Sequence, residues 1–330
     1  MIISGYEYRG EMPFKNVYFT GIVRDKQRRK MSKSLGNSPD PIELMKKYGA
    51  DGVRAGMLFS APAGNDLLFD EKLCEQGRNF SNKLWNAFRL IQTLEVSDEG
   101  KDQSLAIEWI NSRFNEVLSE VEDHFSKYRI SDALLSLYTF IWDDFCSWYL
   151  EIIKDSTITD NTRTGTISVL EKTLKTLHPF MPFITEELWN QIDKERDYIM
   201  ISEYPNPEKF DTKLNEDFKK LFEIVTGLRK LKSDNKIKQI DVVGVMVNKK
   251  SEFDFNKYRD LIEKLSKTKD LEVVNEIPGN YPTLISGKDT LCLAIEKSED
   301  SKEDTLKQIK YLEGFLKSVE KKLSNKNFVD

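Results

Sequence analysis

Cysteine and histidine are scarce in this sequence. Its 330 residues hold three cysteines and two histidines. Cys74, Cys146 and Cys292 lie far apart and form no CxxC pair. Neither a disulfide framework nor protein-bound zinc is therefore expected, and the thiols read as small buried hydrophobes. No apolar run approaches the ~18 residues that cross a bilayer. The first ten residues, MIISGYEYRG, lack the basic start and long apolar stretch of a secretory leader. These absences point to a cytoplasmic protein with no membrane segment. A dominant charge of one sign is also missing. The net charge is −5, so any case for nucleic-acid binding must rest on local charge. There are no internal repeats.

The two histidines carry no acid–base chemistry in this reading. His178 precedes Pro179 at a helix junction, and His124 sits beside Phe125 within a helix. No nucleophile or metal pattern accompanies either.

What is present is a globular composition, 39% hydrophobic and 32% charged, long enough for two or three domains. Residues 17–23, Val-Tyr-Phe-Thr-Gly-Ile-Val, predict a buried strand. The sixteen residues before it offer at most one more strand. A charged loop follows, RDKQRRKMSKS at 24–34, and then the turn formers LGNSPDP. Pro41 opens a short helix ended by Gly49, and a second runs from about Asp51 to Phe59.

From 71 to 230 the periodicity is helical, with helices predicted over 71–94, 104–126, 130–153, 162–177, 182–193 and 212–233. In 130–153, residues Ile130, Leu134, Leu137, Ile141, Phe145, Trp148 and Ile152 share one face, and Ser131 and Asp132 could cap its start. Trp142, Trp148, Tyr149 and Trp189 read as core. Short links predict an antiparallel bundle. VVGVMV, LEVVNEI and TLCLAI between 240 and 295 read as strands of a small α/β unit, with a helix near 255–267. Over 302–324, Leu306, Ile309, Leu312, Leu316, Val319 and Leu323 step about every 3.5 residues, a coiled-coil seam without its partner.

The loop at 24–34 carries the chemistry. It holds six basic residues and one acidic residue. Lys30 and Lys33 flank hydroxyls, a set that suits a polyphosphate, because ammonium groups neutralise its charge and hydroxyls donate to its oxygens. Asn37 and the Pro39-Asp40-Pro41 turn would anchor the far end. A solvated basic loop is the bland alternative.

Lys30-Met31-Ser32-Lys33-Ser34 is identical to the KMSKS signature of class I aminoacyl-tRNA synthetases. Around it stand FTGIVRD, LGN-x-x-DP and KYGAD, in the order found in that class. RNF-x-NKLWNA at 78–87, IWDDFCSWYLEIIK at 141–154, HPFMPFITEELW at 178–189 and YLEGFLKSVEKKLSN-x-x-FV at 311–329 resemble the valyl-tRNA synthetases, and leucyl and isoleucyl enzymes less. The resemblance covers nearly the whole chain and is weakest from 234 to 300.

It implies a mainly α fold: an antiparallel anticodon-binding bundle, a remnant of the α/β catalytic domain, a small α/β unit and the first helix of a C-terminal coiled coil. The expected domains are 1–25 (remnant of the Rossmann-like catalytic domain), 26–70 (KMSKS loop and stem-contact region), 71–233 (bundle), 234–298 (α/β unit) and 299–330 (coiled-coil helix). The resemblance also implies that Lys33, assisted by Lys30, contacts the phosphates of ATP, with Met31, Ser32 and Ser34 completing the loop and Mg2+ accompanying the nucleotide. One departure is Arg28, where the family usually carries glycine.

The class HIGH motif, the valine pocket and the editing domain do not occur in these residues. The chain is therefore expected to be a fragment, a monomer inactive alone, that serves a valine-, ATP- and tRNA-dependent ligase.

On the predicted helix 71–94, Arg78, Asn82, Trp85, Asn86 and Arg89 lie together, away from the apolar face. Arginines, amides and an aromatic ring suit splayed anticodon bases; a solvated face with Trp85 tucked against a neighbour is the alternative. The terminal helix is lysine-rich (Lys302, Lys307, Lys310, Lys317, Lys321, Lys322), which fits backbone contact at the tRNA elbow as well as it fits a solvated flank. Two rival readings remain: a leucyl or isoleucyl relative, and a non-catalytic helical interaction module.

Overall fold

A computed structural model describes residues 1–17, 19, 21–61, 65–154, 157–238, 242–279, 281–295, 309–314, 316–317 and 319. The chain divides into two compact units, Met1–Asn215 and Glu216–Asp330.

The first unit opens with helix α1 (Ile2–Arg9), where the sequence suggested at most a strand. α1 buries no side chain, and Gly10 ends it in a left-handed conformation. The strand expected over 17–23 is reduced to β1, Val23–Arg24. The reason lies in pairing. β1 meets a single parallel partner, β2 (Leu67–Leu68), over two residue pairs, and Val17 and Phe19 are exposed. Residues 18 and 20 lie outside the described set.

Helix α2 (Pro41–Tyr48) begins at Pro41 with the Asp40 side chain accepting the Ile42 amide, which satisfies one orphan donor of the first turn. α3 (Ala50–Phe59) follows directly after Gly49. α4 (Glu71–Thr93) is capped by Asp70 and buries Cys74, Phe80, Leu84, Ala87, Phe88 and Ile91 on one face. Each large apolar side chain so buried contributes about 1.5–3 kcal/mol.

α3 and α4 cross at backbone distance. A Cβ on Gly56 would stand 2.6 Å from the Cys74 nitrogen, and one on Gly77 would collide with the Gly52 carbonyl. Only glycine permits that approach.

An exposed strand, β3 (Val96–Lys101), separates α4 from α5 (Ser104–Ser126). α6 (Ile130–Thr139) then runs into a π-helical stretch, Phe140–Tyr149, and into α7 (Leu150–Ile153). The sequence predicted one uniform helix here. A π turn closes i→i+5 bonds and shifts every following residue around the axis. Accordingly Tyr149 is buried, as expected of it, while Trp148, placed on the apolar face by the helical period, is half-buried. The Tyr149 hydroxyl lies 2.6 Å from Thr166 Oγ1. Of the aromatic set read as core, Tyr149 and Trp189 are buried, whereas Trp142 is half-buried and stacks on Tyr138.

Ser131 does not cap α6. Its hydroxyl donates to the Leu58 carbonyl at 2.7 Å and to that of Ala61, at the end of α3. α8 (Asp160–Leu177) and α9 (Pro182–Ile192) complete the bundle.

α10 (Thr212–Asp234) carries the chain into the second unit. There β4 (Val243–Asn248), α11 (Arg259–Ser266), β5 (Thr268–Val273), β6 (Thr283–Ser286) and β7 (Asp289–Leu293) form a sheet ordered β5-β4-β7-β6. β5 runs parallel to β4, and β7 is antiparallel to both β4 and β6. The sequence missed β6, whose outward Ile285 is exposed and breaks the alternation. It also set the second strand three residues late.

Phe218 packs edge-on against Phe222 and Tyr258. Arg229 and Lys232 donate to the carbonyls of Leu265 and Lys267, at the C-terminus of α11. Cations there meet the negative end of the helix dipole. Of the terminal helix, residues 309–314, 316–317 and 319 are described and helical, and Ile309, Leu312, Leu316 and Val319 of the seam are exposed. Leu306, Leu323, Lys302, Lys307, Lys321 and Lys322 lie outside the described residues.

Candidate functional site

The loop after β1 is built on a clamp. The Leu67 amide donates to the Ile22 carbonyl at 3.0 Å and the Phe69 amide to that of Arg24 at 2.9 Å. Asp66 accepts the Ile22 amide at 2.9 Å. At the top of β1 the chain doubles back, with the Asp25 amide on the Arg29 carbonyl (2.9 Å) and the Met31 amide on the Val23 carbonyl (3.0 Å). That turn requires a left-handed residue, and Arg28 supplies it at φ 63°. This conformation strains a residue with a Cβ, whereas glycine would adopt it freely.

Asp25 is the hub. Its Oδ1 accepts the amides of Gln27 (3.0 Å) and Arg29 (2.9 Å), and its Oδ2 accepts Arg29 Nε (2.8 Å) and Asn37 Nδ2 (2.9 Å). The Asn37 amide, followed by the Arg29 guanidinium, holds the Asp25 carboxyl well below the usual carboxylate range. Asn37 Oδ1 in turn accepts the Ser32 amide at 2.9 Å. Ser32 Oγ lies 3.1 Å from Ser34 Oγ and accepts the Leu35 amide at 3.3 Å. Sequence reasoning identified Asn37 as an anchor and missed Asp25. The available signal was its position as the lone acid among six bases.

Charge pairing sorts those bases. Arg24 pairs with Asp66, Lys26 with Asp70 at 3.3 Å, and Arg29 with Asp25 at 2.7 Å. Arg28, Lys30 and Lys33 are exposed and form no ion pair among the described residues. The loop therefore presents three cations without acid partners beside two hydroxyls, Ser32 half-buried and Ser34 exposed. That donor set fits the phosphates of a nucleotide. It does not fit a protein-held divalent cation, since each nearby carboxylate is already engaged. Met31 is half-buried at the base of the loop.

α4 places the second group of candidates. Asn82, Asn86 and Arg89 are exposed along one stripe. The other two are engaged within the protein. Arg78 lies 3.5 Å from Glu75 and over the Tyr48 ring, 5.7 Å from its centroid. Trp85 is half-buried, its ring 6.4 Å from that of Phe88. The opposite side of α4 is buried in the bundle through Phe80, Leu84, Ala87 and Ile91, and at the flank Lys83 Nζ stands over the Trp142 ring at 5.1 Å.

The loop and bundle are joined through α3. The Asp51 carboxylate accepts the amides of Phe183 (3.3 Å) and Ile184 (2.7 Å), in the first turn of α9. Burial pushes the Asp51 carboxyl upward, opposed by those two amides. Arg54 donates to the carbonyls of Phe180 (3.1 Å) and Pro179 (3.0 Å). His178 shares a 2.8 Å hydrogen bond with Thr185, which occupies its ring in structure.

Among the described residues no helix is long and apolar enough to cross a membrane.

Residues 1–70 match the family of class I tRNA synthetases for isoleucine, leucine, methionine and valine, and residues 108–247 match the anticodon-binding domain of tRNA ligases. α4, with all five anticodon candidates, falls between these two matches. The valine–tRNA ligase of Christiangramia forsetii is 47% identical over the full chain, and that of Phocaeicola vulgatus is 46% identical. The relative from Fusobacterium nucleatum is 35% identical over 99% of the chain. The chain spans 39% of the Christiangramia protein's length and 38% of the Phocaeicola protein's.

Proposed function

The chain belongs to the valine–tRNA ligase family, and on that premise we propose that it supplies the phosphate loop and part of the tRNA surface of an enzyme that activates valine with ATP and joins it to tRNA. The observation that carries this reading is the set of unpaired cations, Arg28, Lys30 and Lys33, on a KMSKS loop whose other charges are neutralised internally.

When the valine carboxylate attacks the α-phosphate, negative charge builds on the departing pyrophosphate. Ammonium groups already in place stabilise that charge without reorganisation. Lys33 is the main contact and Lys30 assists, while Ser32 and Ser34 donate to phosphate oxygens. Mg2+ travels with the nucleotide.

The bundle faces tRNA. Its exposed α4 stripe, Asn82, Asn86 and Arg89, contacts splayed bases. Arg78 and Trp85 border the stripe and complete the proposed anticodon contact. The lysine-rich terminal helix adds backbone contacts that are blind to sequence. The proposed division of labour follows 26–70 for the loop and stem contact, 71–233 for the bundle, 234–298 for the α/β unit and 299–330 for the arm. On this reading the 330 residues by themselves, a cytoplasmic monomer, form no valyl-adenylate.

Pyrophosphate binding to the purified chain tests the loop. Lys33→Ala should weaken it about tenfold or more, the scale of one charge-assisted contact. Equal binding by the variant removes Lys33 from the role. Exchange of pyrophosphate into ATP by the chain alone with valine would contradict the inactivity.

A further inference from the structure

Asp25 is an awkward residue for a phosphate loop. It places a carboxylate beside the three cations that a polyphosphate would seek, and a negative charge there repels the ligand. Yet its carboxylate accepts four hydrogen bonds, from the Gln27 and Arg29 amides, Arg29 Nε and Asn37 Nδ2. Asn37 is twelve residues further on, across the whole motif. It accepts the Ser32 amide and donates to the Lys30 carbonyl at 3.3 Å. The two ends of the loop are therefore joined through one side-chain pair, Asp25 to Asn37, and the motif residues hang from the Asn37 end.

We propose that Asp25 is a positioning residue for phosphate binding, forming with Asn37 a latch that fixes Ser32 and the flanking Lys30 and Lys33 for a polyphosphate. The proposal rests on the reading of the loop as a phosphate site. The latch does three things. It ties the Ser32 amide down, which sets the direction of the Ser32 hydroxyl. It holds the Lys30 carbonyl inward, so the Lys30 side chain is directed out. It also consumes Arg29 as a structural partner, leaving the three ligand-facing cations at the turn and motif. Preorganised donors bind more tightly than donors that must be ordered on binding.

Two effects of removing Asp25 oppose each other, which makes the idea testable. If Asp25 acts only as a charge, Asp25→Asn removes a repulsion and frees Arg29, so inorganic pyrophosphate binds more tightly. If Asp25 is the latch, the new amide meets the Asn37 amide donor to donor, the loop loosens, and pyrophosphate binds about tenfold more weakly. Asn37→Ala changes no charge and should weaken binding by a similar factor. Combining Asp25→Asn with Asn37→Asp again faces a donor with an acceptor across the latch and keeps an acceptor for the Ser32 amide, though the donation to the Lys30 carbonyl is lost. It should recover part of the affinity, which a general folding defect would not allow.

The experiment is a calorimetric titration of the purified chain with pyrophosphate, for the native sequence, both single variants, the double variant and Lys33→Ala. Hydrogen exchange at the Ser32 amide is followed in parallel. Weaker binding and faster Ser32 exchange in both single variants, with partial recovery in the double variant, support the latch. Tighter binding by Asp25→Asn overturns it, as does unchanged Ser32 exchange in Asn37→Ala. Failure of the underlying reading looks different: the native chain and Lys33→Ala then show the same absence of pyrophosphate binding, and the latch role in phosphate binding falls with it even where Ser32 exchange responds.

Discussion

Gly56 of α3 and Cys74 of α4 meet backbone to backbone: a Cβ on Gly56 would lie 2.6 Å from the Cys74 nitrogen. A helix interior ordinarily gains about 1 kcal/mol when glycine becomes alanine. Here the added methyl must push two helices apart, and overpacking costs about 1–3 kcal/mol. Gly56→Ala should therefore destabilise the first unit. All five tryptophans lie in that unit, so an intrinsic-fluorescence denaturation curve reads it directly. A stabilised variant would contradict the close crossing.

Asp51 caps the first turn of α9 from α3, accepting the Ile184 amide at 2.7 Å. Asp51→Ala should cost about 1–2 kcal/mol, the range for a lost helix cap. The same fluorescence curve checks it. A loss well below 0.5 kcal/mol would mean that solvent replaces the carboxylate at no cost.

Arg28 holds a left-handed conformation at φ 63°. Two variants separate its backbone from its charge. Arg28→Gly and Arg28→Ala lose the same guanidinium, so both should weaken pyrophosphate binding alike. Only the first relieves the Cβ strain, and it should be about 1 kcal/mol more stable than the second. Equal stability would show that the turn relaxes in the alanine variant.

These positions also mark what could be read in the sequence. The KMSKS residues, the flanking turns and most of the bundle helices were legible because each rests on local spacing. Glu71–Thr93 and Ser104–Ser126 fall where the 3.6-residue period puts them. What escaped depends on partners distant in the chain. The strand around 17–23 shortened to Val23–Arg24 because β2 offers two residues of pairing. The π turn at Phe140–Tyr149 leaves the apolar spacing almost unchanged while turning Trp148 partly away from the core. The Gly52, Gly56 and Gly77 crossing joins residues too far apart for one window of sequence, and the Asp25 to Asn37 contact depends on how the loop between them folds back. On the proposed anticodon face, composition placed Arg78 and Trp85 with the exposed amides. In the structure Arg78 lies near Glu75 and Tyr48, and Trp85 is half-buried near Phe88, so neither contact could be read from composition.

The second unit makes a pH prediction. Burial pushes the Asp289 carboxyl up, but the Ser251 hydroxyl, the Lys250 and Ser251 amides and Lys220 outweigh it and hold it below its ordinary value. A depressed carboxylate contributes stability above its unfolded pKa of about 3.9, and that stability is lost as pH falls through the folded value. Hydrogen-exchange protection of the β4 and β7 amides should hold from neutral pH down to about pH 4 and fall below it. Asp289→Asn should be less protected at neutral pH and show a flatter acid limb. An unchanged acid limb would remove Asp289 from this role.

The central claim is that this chain carries tRNA-facing surface of a valine–tRNA ligase. Its most direct test is a salt-titrated binding curve of the purified chain with valine tRNA, beside the same tRNA bearing a swapped anticodon. The account predicts binding to valine tRNA that weakens on the swap and weakens further when Asn82, Asn86 and Arg89 are replaced together by alanine. Equal binding to both tRNAs, falling steeply with salt, would leave only backbone contacts and contradict the α4 assignment. No binding to either would contradict the claim itself.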